Sequence, residues 1–347
     1  MTVKSAWYAS ELRRELGLRN RQWARGRAHV ESYGDSPVIV YAPESGGHGN
    51  FFDAAYAAIA GRPEWLRRFE KVHTGQRTLP KAESESGPAR RWRELDSSMS
   101  SDALLMNIFC TPGVAEAPAV RQALGVDEEA PPVFGWKARV PLKNGHFDRT
   151  EVDMRLGSLL VEAKLTEGDF QSKAAAVVES YRDFDEVFDR ERLPRVQLAT
   201  KRRREAVEFP EDYSQEYEEP ILETGSAARV TVPELSALLL ETAPYIAAAD
   251  SRAEEPGYAS YQLIRNALAA YALGGSFCVV HDERRPDLRE AWFAVMAAVK
   301  SAELRVRLKV LTWQELAGTL PEGLQDFLDR KYGIVAPGRV ASELELP

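Results

Sequence analysis

The tightest constraint on this chain is the run EVDMRLGSLLVEAKLTEGD, residues 151–169. Two short strand-like segments flank Gly157-Ser158, and a two-residue loop that begins with glycine suits a type II′ hairpin turn. That turn sets the register. Leu156 faces Leu159, Arg155 faces Leu160 and Met154 faces Val161, which brings Asp153 opposite Glu162 and Glu151 opposite Lys164. Directly opposed residues share a face, with Cβ atoms about 4.5–5.5 Å apart, and residues two apart share it too. The hairpin is therefore expected to carry a polar face of Glu151, Asp153, Glu162 and Lys164. Val152, Met154, Val161 and Ala163 form the other face, turned to the core.

Two carboxylates about 5 Å apart repel by roughly 3 kcal/mol at an effective dielectric near 20. A fold keeps such a pair only with compensation: a shared proton, a bridge from Lys164, or a divalent cation. Oxygen-only ligands favour Mg²⁺ or Mn²⁺ over zinc. An ammonium at Lys164 can also orient an attacking water or stabilise charge developing on a phosphate. The plain alternative is an exposed hairpin with ordinary cross-strand charge pairs, because an Asp and a Glu-x-Lys at this spacing often coincide by chance.

The surrounding elements weigh against that alternative. SSDALLMNIF (100–109) reads as a helix with Ser or Asp at its N-cap and Thr-Pro-Gly as its stop. VFGWKARV (133–140) alternates, with Phe134, Trp136, Ala138 and Val140 on one face and a Lys-Asn-Gly turn after it. Residues 170–188 carry a helical apolar stripe, 258–273 a second helix closed by Gly-Gly, and 276–282 a buried strand. Residues 289–299 read as a helix, 304–311 as an alternating strand, and Thr312 to Glu315 as a capping box. The order is helix, three-strand meander, helix, strand: an α/β chain with a mixed sheet flanked by helices.

Before that block, residues 1–30 are helical in pattern, 36–42 strand-like, and 51–61 and 63–73 helical, with a polar Gly- and Pro-containing stretch at 74–91. Residues 201–222 form a charged excursion beginning KRRR, and 233–249 read as a further helix. The expected organisation is an N-terminal helical region with a short strand over 1–95, a core over 96–335 with an insertion at about 190–257, and a tail over 336–347.

Bulk properties narrow the class. Two cysteines, Cys110 and Cys278, exclude a disulfide framework and fit a reducing cytoplasm, and five scattered histidines lack metal spacing. No apolar run is long enough for a membrane span. A net charge of −8 argues against a general nucleic-acid coater, while an enzyme working from local basic patches stays open.

With Asp153 and Glu162-Ala163-Lys164 as D…EAK and this element order, the chain resembles the PD-(D/E)xK superfamily, the restriction-endonuclease-like fold. SSMSSDALLMNIF (97–109), EAKLTEGDF (162–170), YQLIRN (261–266), LTWQEL (311–316) and the loop around 48–52 resemble a bacterial restriction endonuclease subgroup. The resemblance covers about 48–335. It implies a metal-dependent nuclease that hydrolyses phosphodiester bonds, with DNA as the expected substrate. Asp153 and Glu162 would hold Mg²⁺ or Mn²⁺, Lys164 would assist the attacking water, and Gln262 would be an accessory residue. Many nucleases of this fold are dimers, so a homodimer is an allowed arrangement. Val152 stands where the namesake motif has proline. A non-catalytic nucleic-acid- or protein-binding relative is the competing reading. A carboxylate-pair glycosidase accounts for neither Lys164 nor the element order.

Several residues carry weaker expectations. Glu151 is a salt-bridge partner before it is a ligand. Glu167 and Asp169 decorate a helix N-terminus. Arg305, Arg307 and Lys309 form a basic stripe on a strand that either contacts a nucleic-acid backbone or protects an edge. The glycine loop at 46–49 lacks a phosphate-binding signature and reads as an ordinary turn, and Trp292 and Trp313 are core packing.

Overall fold

A computed structural model describes residues 3–34, 37–73, 76–81, 91–149, 151–199 and 254–342. The expectations for 201–222 and 233–249 lie outside the described residues. The elements that build the core are α1 (Val3–Trp23), α2 (Ser101–Phe109), β1 (Val133–Lys137), β2 (Glu151–Leu156), β3 (Leu159–Ala163), α3 (Tyr261–Leu273), β4 (Ser276–His281), α4 (Pro286–Ala297), β5 (Leu308–Thr312), α5 (Trp313–Ala317) and α6 (Glu322–Tyr332).

The five strands make one mixed sheet in the order β5-β4-β3-β2-β1. β1, β2 and β3 are an antiparallel meander, while β4 runs parallel to both β3 and β5. Parallel neighbours need a crossover, which α3 supplies before β4 and α4 before β5. The hairpin register is the expected one: Leu156 pairs with Leu159, Arg155 with Leu160 and Met154 with Val161.

Helices cover both faces, so β3 is buried at every residue. One core joins Leu105 and Ile108 of α2, Val161 and Ala163, Cys278 and Val280, and Trp313 and Leu316. The other joins Leu160, Phe277 and Val279 to Leu263, Ile264 and Trp292. The alternative of an exposed hairpin is thereby excluded, and the expected continuous polar face is corrected. That face is apolar along most of its length and turns polar only at the end that bears Glu162 and Lys164. Val152 and Trp136 also belong to the second core, away from Met154 and Phe134. Gly135, at φ +61°, lies between the pairs Phe134–Met154 and Trp136–Val152 and breaks the simple alternation there.

Other sequence expectations need revision. Residues 170–188 are not one helix but a strand at Ser172–Ala174 and short helices at Ala175–Val178 and Phe184–Val187. Backbone bonds from Lys143 to Ser180 and from Arg182 to Pro141 commit this stretch to other partners. Glu254–Ala259 is the middle strand of a second, three-stranded sheet with Ser172–Ala174 and Arg195–Ala199, so the helix expected from 258 begins at 261. In 304–311 only the second half is strand. Ser301 accepts from the Leu304 N–H and caps a helical turn over Ala302–Arg305.

The caps hold as expected. Ser100 accepts from the Ala103 N–H at the start of α2, and Thr312 and Glu315 form a reciprocal capping box at α5. Ahead of the sheet, helices Asp53–Ala60 and Pro63–Leu66 pack Ile59, Trp65 and Phe69 against Ala103 and Met106 of α2.

Candidate active site

Asp153, Glu162 and Lys164 meet where β2 and β3 part at the end of the sheet away from the hairpin turn. The ladder continues as far as Met154–Val161. At the next position Asp153 Oδ2 instead accepts the Ala163 N–H, at 2.8 Å. A carboxylate that replaces a ladder bond holds the strands together.

Glu162 is almost entirely enclosed, with a side chain 1% exposed, and Lys164 beside it is 8% exposed. Lys164 Nζ donates to Glu162 Oε1 at 2.8 Å, and Asn266 Nδ2 donates to Oε2 at 2.8 Å. Burying an ion pair is costly unless its remaining hydrogen-bonding capacity is met, and Asn266 meets it. Asn266 is fixed in turn by Arg265, whose Nε and Nη2 donate to its Oδ1 and whose Nη2 also donates to the Glu151 carbonyl. The lysine backbone is pinned on both sides: its N–H donates to the Val280 carbonyl and its carbonyl accepts from Trp313 Nε1, at 2.8 and 2.9 Å.

The electrostatics are asymmetric. Removal from water, then the charges of Glu162 and Asp102, push the Asp153 carboxyl well above its usual range, against the pull of Lys164 and the Ala163 N–H. Burial works to lower Lys164, but Glu162, Glu167 and Asp153 outweigh it and hold the ammonium above its ordinary value. The lysine is thus fixed as a cation beside an acid pair in which Asp153 holds its proton more tightly than usual.

Glu151 is an ion-pair partner, though not of Lys164. Its Oε1 accepts from Arg68 Nη1 at 2.7 Å, because Lys164 is already committed to Glu162. Glu167 and Asp169 head no helix. Glu167 accepts from the Leu165 N–H and the Ser101 hydroxyl, and Asp169 from the Gln171 N–H. Gln262 sits one helical turn before Asn266 on the same side of α3. Its Oε1 is buried with no hydrogen-bond partner among the described residues.

The basic stripe does not form on a strand. Arg305 ends a helical turn and donates to the Val299 carbonyl, Arg307 donates to Gly275 at 3.0 Å, and Lys309 on β5 donates to Leu124 and Gly125. Each of the three side chains ties off a backbone carbonyl, and Arg307 lies at the sheet end opposite Lys164. His48 of the glycine loop is buried against Asp96, and Trp292 and Trp313 are core residues.

Sequence reasoning missed Asn266, Arg68, Asp102 and Arg285. Arg285, wholly buried, grips the loop after β3 by donating to the carbonyls of Leu165, Glu167 and Gly168 while a bidentate pair with Asp287 holds it. Only Asn266 left a signal, four residues after Gln262 in YQLIRN.

The donor set suits a hard divalent ion: two carboxylates and an amide oxygen on the neighbouring helix face that has no partner among the described residues. Among the described residues no group of three or more His, Cys, Asp or Glu side chains is arranged to hold a metal. No described helix is long and apolar enough to cross a membrane.

No curated protein and no solved structure matches the chain. A family model does, over residues 18–333, which takes in the helices before the sheet, all five strands and the acid pair. The chain therefore belongs to the restriction endonuclease family described as Restriction Endonuclease associating with ARP.

Proposed function

We propose that this chain is a metal-dependent nuclease that hydrolyses phosphodiester bonds in DNA, with Asp153, Glu162 and Lys164 as its centre. The observation that carries the reading is the buried Glu162–Lys164 pair beside Asp153, a second carboxylate with no lysine or arginine ion pair among the described residues. A second carboxylate this close is costly when ionised unless a cation joins it. The group stands at the parting of two strands in a member of a restriction endonuclease family.

Asp153 and Glu162 would hold Mg²⁺ or Mn²⁺, with the amide oxygen of Gln262 as an accessory contact. When bound, that cation supplies a Lewis acid that offsets charge on the phosphate and its leaving oxygen. The protein's own residues do the rest. Lys164 presents a fixed positive charge to the attacking water and to the charge gained by the phosphate in the transition state. Asn266 keeps Glu162 aimed through Oε2, so that Lys164 need not let go of Oε1. The Val280 carbonyl and Trp313 hold the backbone on either side of Lys164 and Arg285 holds the loop after it, which limits the wandering of its ammonium.

A plasmid-cleavage assay with Mg²⁺, comparing wild type with Asp153→Ala and Lys164→Ala, tests the reading. Cleavage by wild type and its loss in both variants is the expected result. Equal activity in all three removes the site from consideration, and DNA binding without cleavage by wild type favours a non-catalytic binding relative.

A further inference from the structure

The segment before the sheet delivers a cation into the acidic centre. Arg68 lies in a short 3-10 turn, Arg67–Glu70, held by Phe69 in the core against α2 and by the Trp65 indole, which donates to the Pro132 carbonyl at 3.1 Å. Its guanidinium splits between two acids. Nη2 donates to Asp102 at 2.6 Å and Nη1 to Glu151 at 2.7 Å, and the side chain is only 9% exposed. Its Nε is buried and takes no partner among the described residues. Room for the group comes from Gly135, directly across β1–β2 from Asp153. A Cβ there would collide with Arg68 Nη1, and its φ of +61° favours glycine.

Asp102 and Glu151 are therefore answered by Arg68, and Asp102 also by the half-exposed Lys71 at 3.3 Å. This outer half of the acidic ring is electrically closed. In the inner half Lys164 pairs with Glu162, while Asp153 accepts the Ala163 N–H and makes no ion pair with a lysine or arginine among the described residues.

Resting on the nuclease reading above, we propose that Arg68 is a positioning residue that permanently fills the outer half of the site, so that the centre takes one exchangeable divalent cation between Asp153 and Glu162 rather than two. A second ion at Asp102 and Glu151 would have to expel a buried guanidinium from two short ion pairs, and removing one partner of such a pair costs several kcal/mol. The arginine thus does with a fixed charge what a second metal would do with a mobile one. It keeps Asp102 and Glu151 in place while leaving Asp153 open to its ion.

Mn²⁺ titration of the full chain, with free Mn²⁺ counted by electron paramagnetic resonance, reads this without any turnover. Wild type is expected to bind one ion per chain. Arg68→Met, with the acids uncovered, is expected to bind two, and Arg68→Lys to return to one. Glu151→Gln supplies a check that does not depend on how well Arg68→Met folds. Because Glu151 serves the arginine, one ion is expected still to bind, with its affinity changed by less than about threefold, roughly the 0.6 kcal/mol below which a contact is peripheral. Two ions in wild type, one ion in a folded Arg68→Met, or loss of an ion in Glu151→Gln overturns the proposal. Asp153→Asn separates it from the parent reading. If that variant binds Mn²⁺ as wild type does, the metal site itself is wrong. If it loses the ion while Arg68→Met gains none, only the role of the arginine fails.

Discussion

The acid pair makes an unusual prediction for stability. Replacing Asp153 with Asn should abolish function yet stabilise the metal-free protein. Asp153 and Glu162 stand at adjoining positions where β2 and β3 part, and two charges about 5 Å apart at an effective dielectric near 20 repel by roughly 3 kcal/mol. Asn removes that repulsion and can keep the bond from the Ala163 N–H through its own side-chain oxygen. The attraction of Lys164 for Asp153 is lost as well, so the net gain is smaller, about 1–2 kcal/mol.

The sign follows from the raised carboxyl value of Asp153. A group that holds its proton more tightly in the fold costs stability wherever it is ionised, and that cost disappears as the pH falls through the raised value. The advantage of Asn should therefore be fullest above the raised value and fade toward the ordinary carboxylate value of 3.8. Divalent ions reverse the order. At a concentration of 100 times Kd a bound ion stabilises by about 2.7 kcal/mol, and only wild type benefits.

The assay is urea denaturation of both proteins at pH 8 and near pH 4, each with chelator and, at pH 8, with Mg²⁺. A shift of about 1–2 °C in Tm per kcal/mol gives an independent thermal reading for a chain of this size. If Asp153→Asn is less stable than wild type by more than about 1 kcal/mol at pH 8 without metal, the unbalanced-pair reasoning is refuted.

Two further outcomes follow from the same contacts. Lys164→Met strands Glu162 in a site closed to water and should cost about 3–5 kcal/mol in urea melts. Because the Lys164 value is raised, its contribution in wild type should stay full below its ordinary 10.5 and decline only as the pH rises through the raised value. Arg285→Met removes a buried donor to three carbonyls in the loop after β3 and one side of a buried ion pair with Asp287, and should cost at least about 3 kcal/mol by the same measurement. Its turnover should fall through kcat more than KM, because the loop positions Lys164 rather than the substrate.

The sequence made the hairpin readable because its information is local. Gly157-Ser158 fixes the register, and the register alone brings Asp153 beside Glu162. The N-cap at Ser100 and the capping box at Thr312 are equally local, and both form as expected. The failures arise where distant partners decide. Leu304, Val306, Leu308 and Val310 alternate like a strand, yet Val306 is 80% exposed and Ser301 has already turned the preceding residues into a helix. The stripe over 170–188 fits a helix in isolation, but Ser172–Ala174 is claimed by the strand at Glu254–Ala259.

The same limit governs the site. Lys164 could not be assigned between Glu151 and Glu162 without knowing that Arg68, 83 residues before Glu151, would occupy the former. Asn266 arrives across 104 residues from Glu162, and no spacing rule announces it. Burial was also invisible. The pattern set one polar face of the hairpin apart but could not tell which helix would cover it.

The most direct test of the central claim is the single-turnover rate of DNA strand cleavage as a function of Mg²⁺ concentration, in wild type and in Asp153→Asn. The account predicts a saturable Mg²⁺ dependence in wild type, no cleavage in chelator, and no Mg²⁺-dependent cleavage by Asp153→Asn despite its intact fold. A wild-type rate indifferent to Mg²⁺, or an Asp153→Asn rate that follows the wild-type curve, would contradict it.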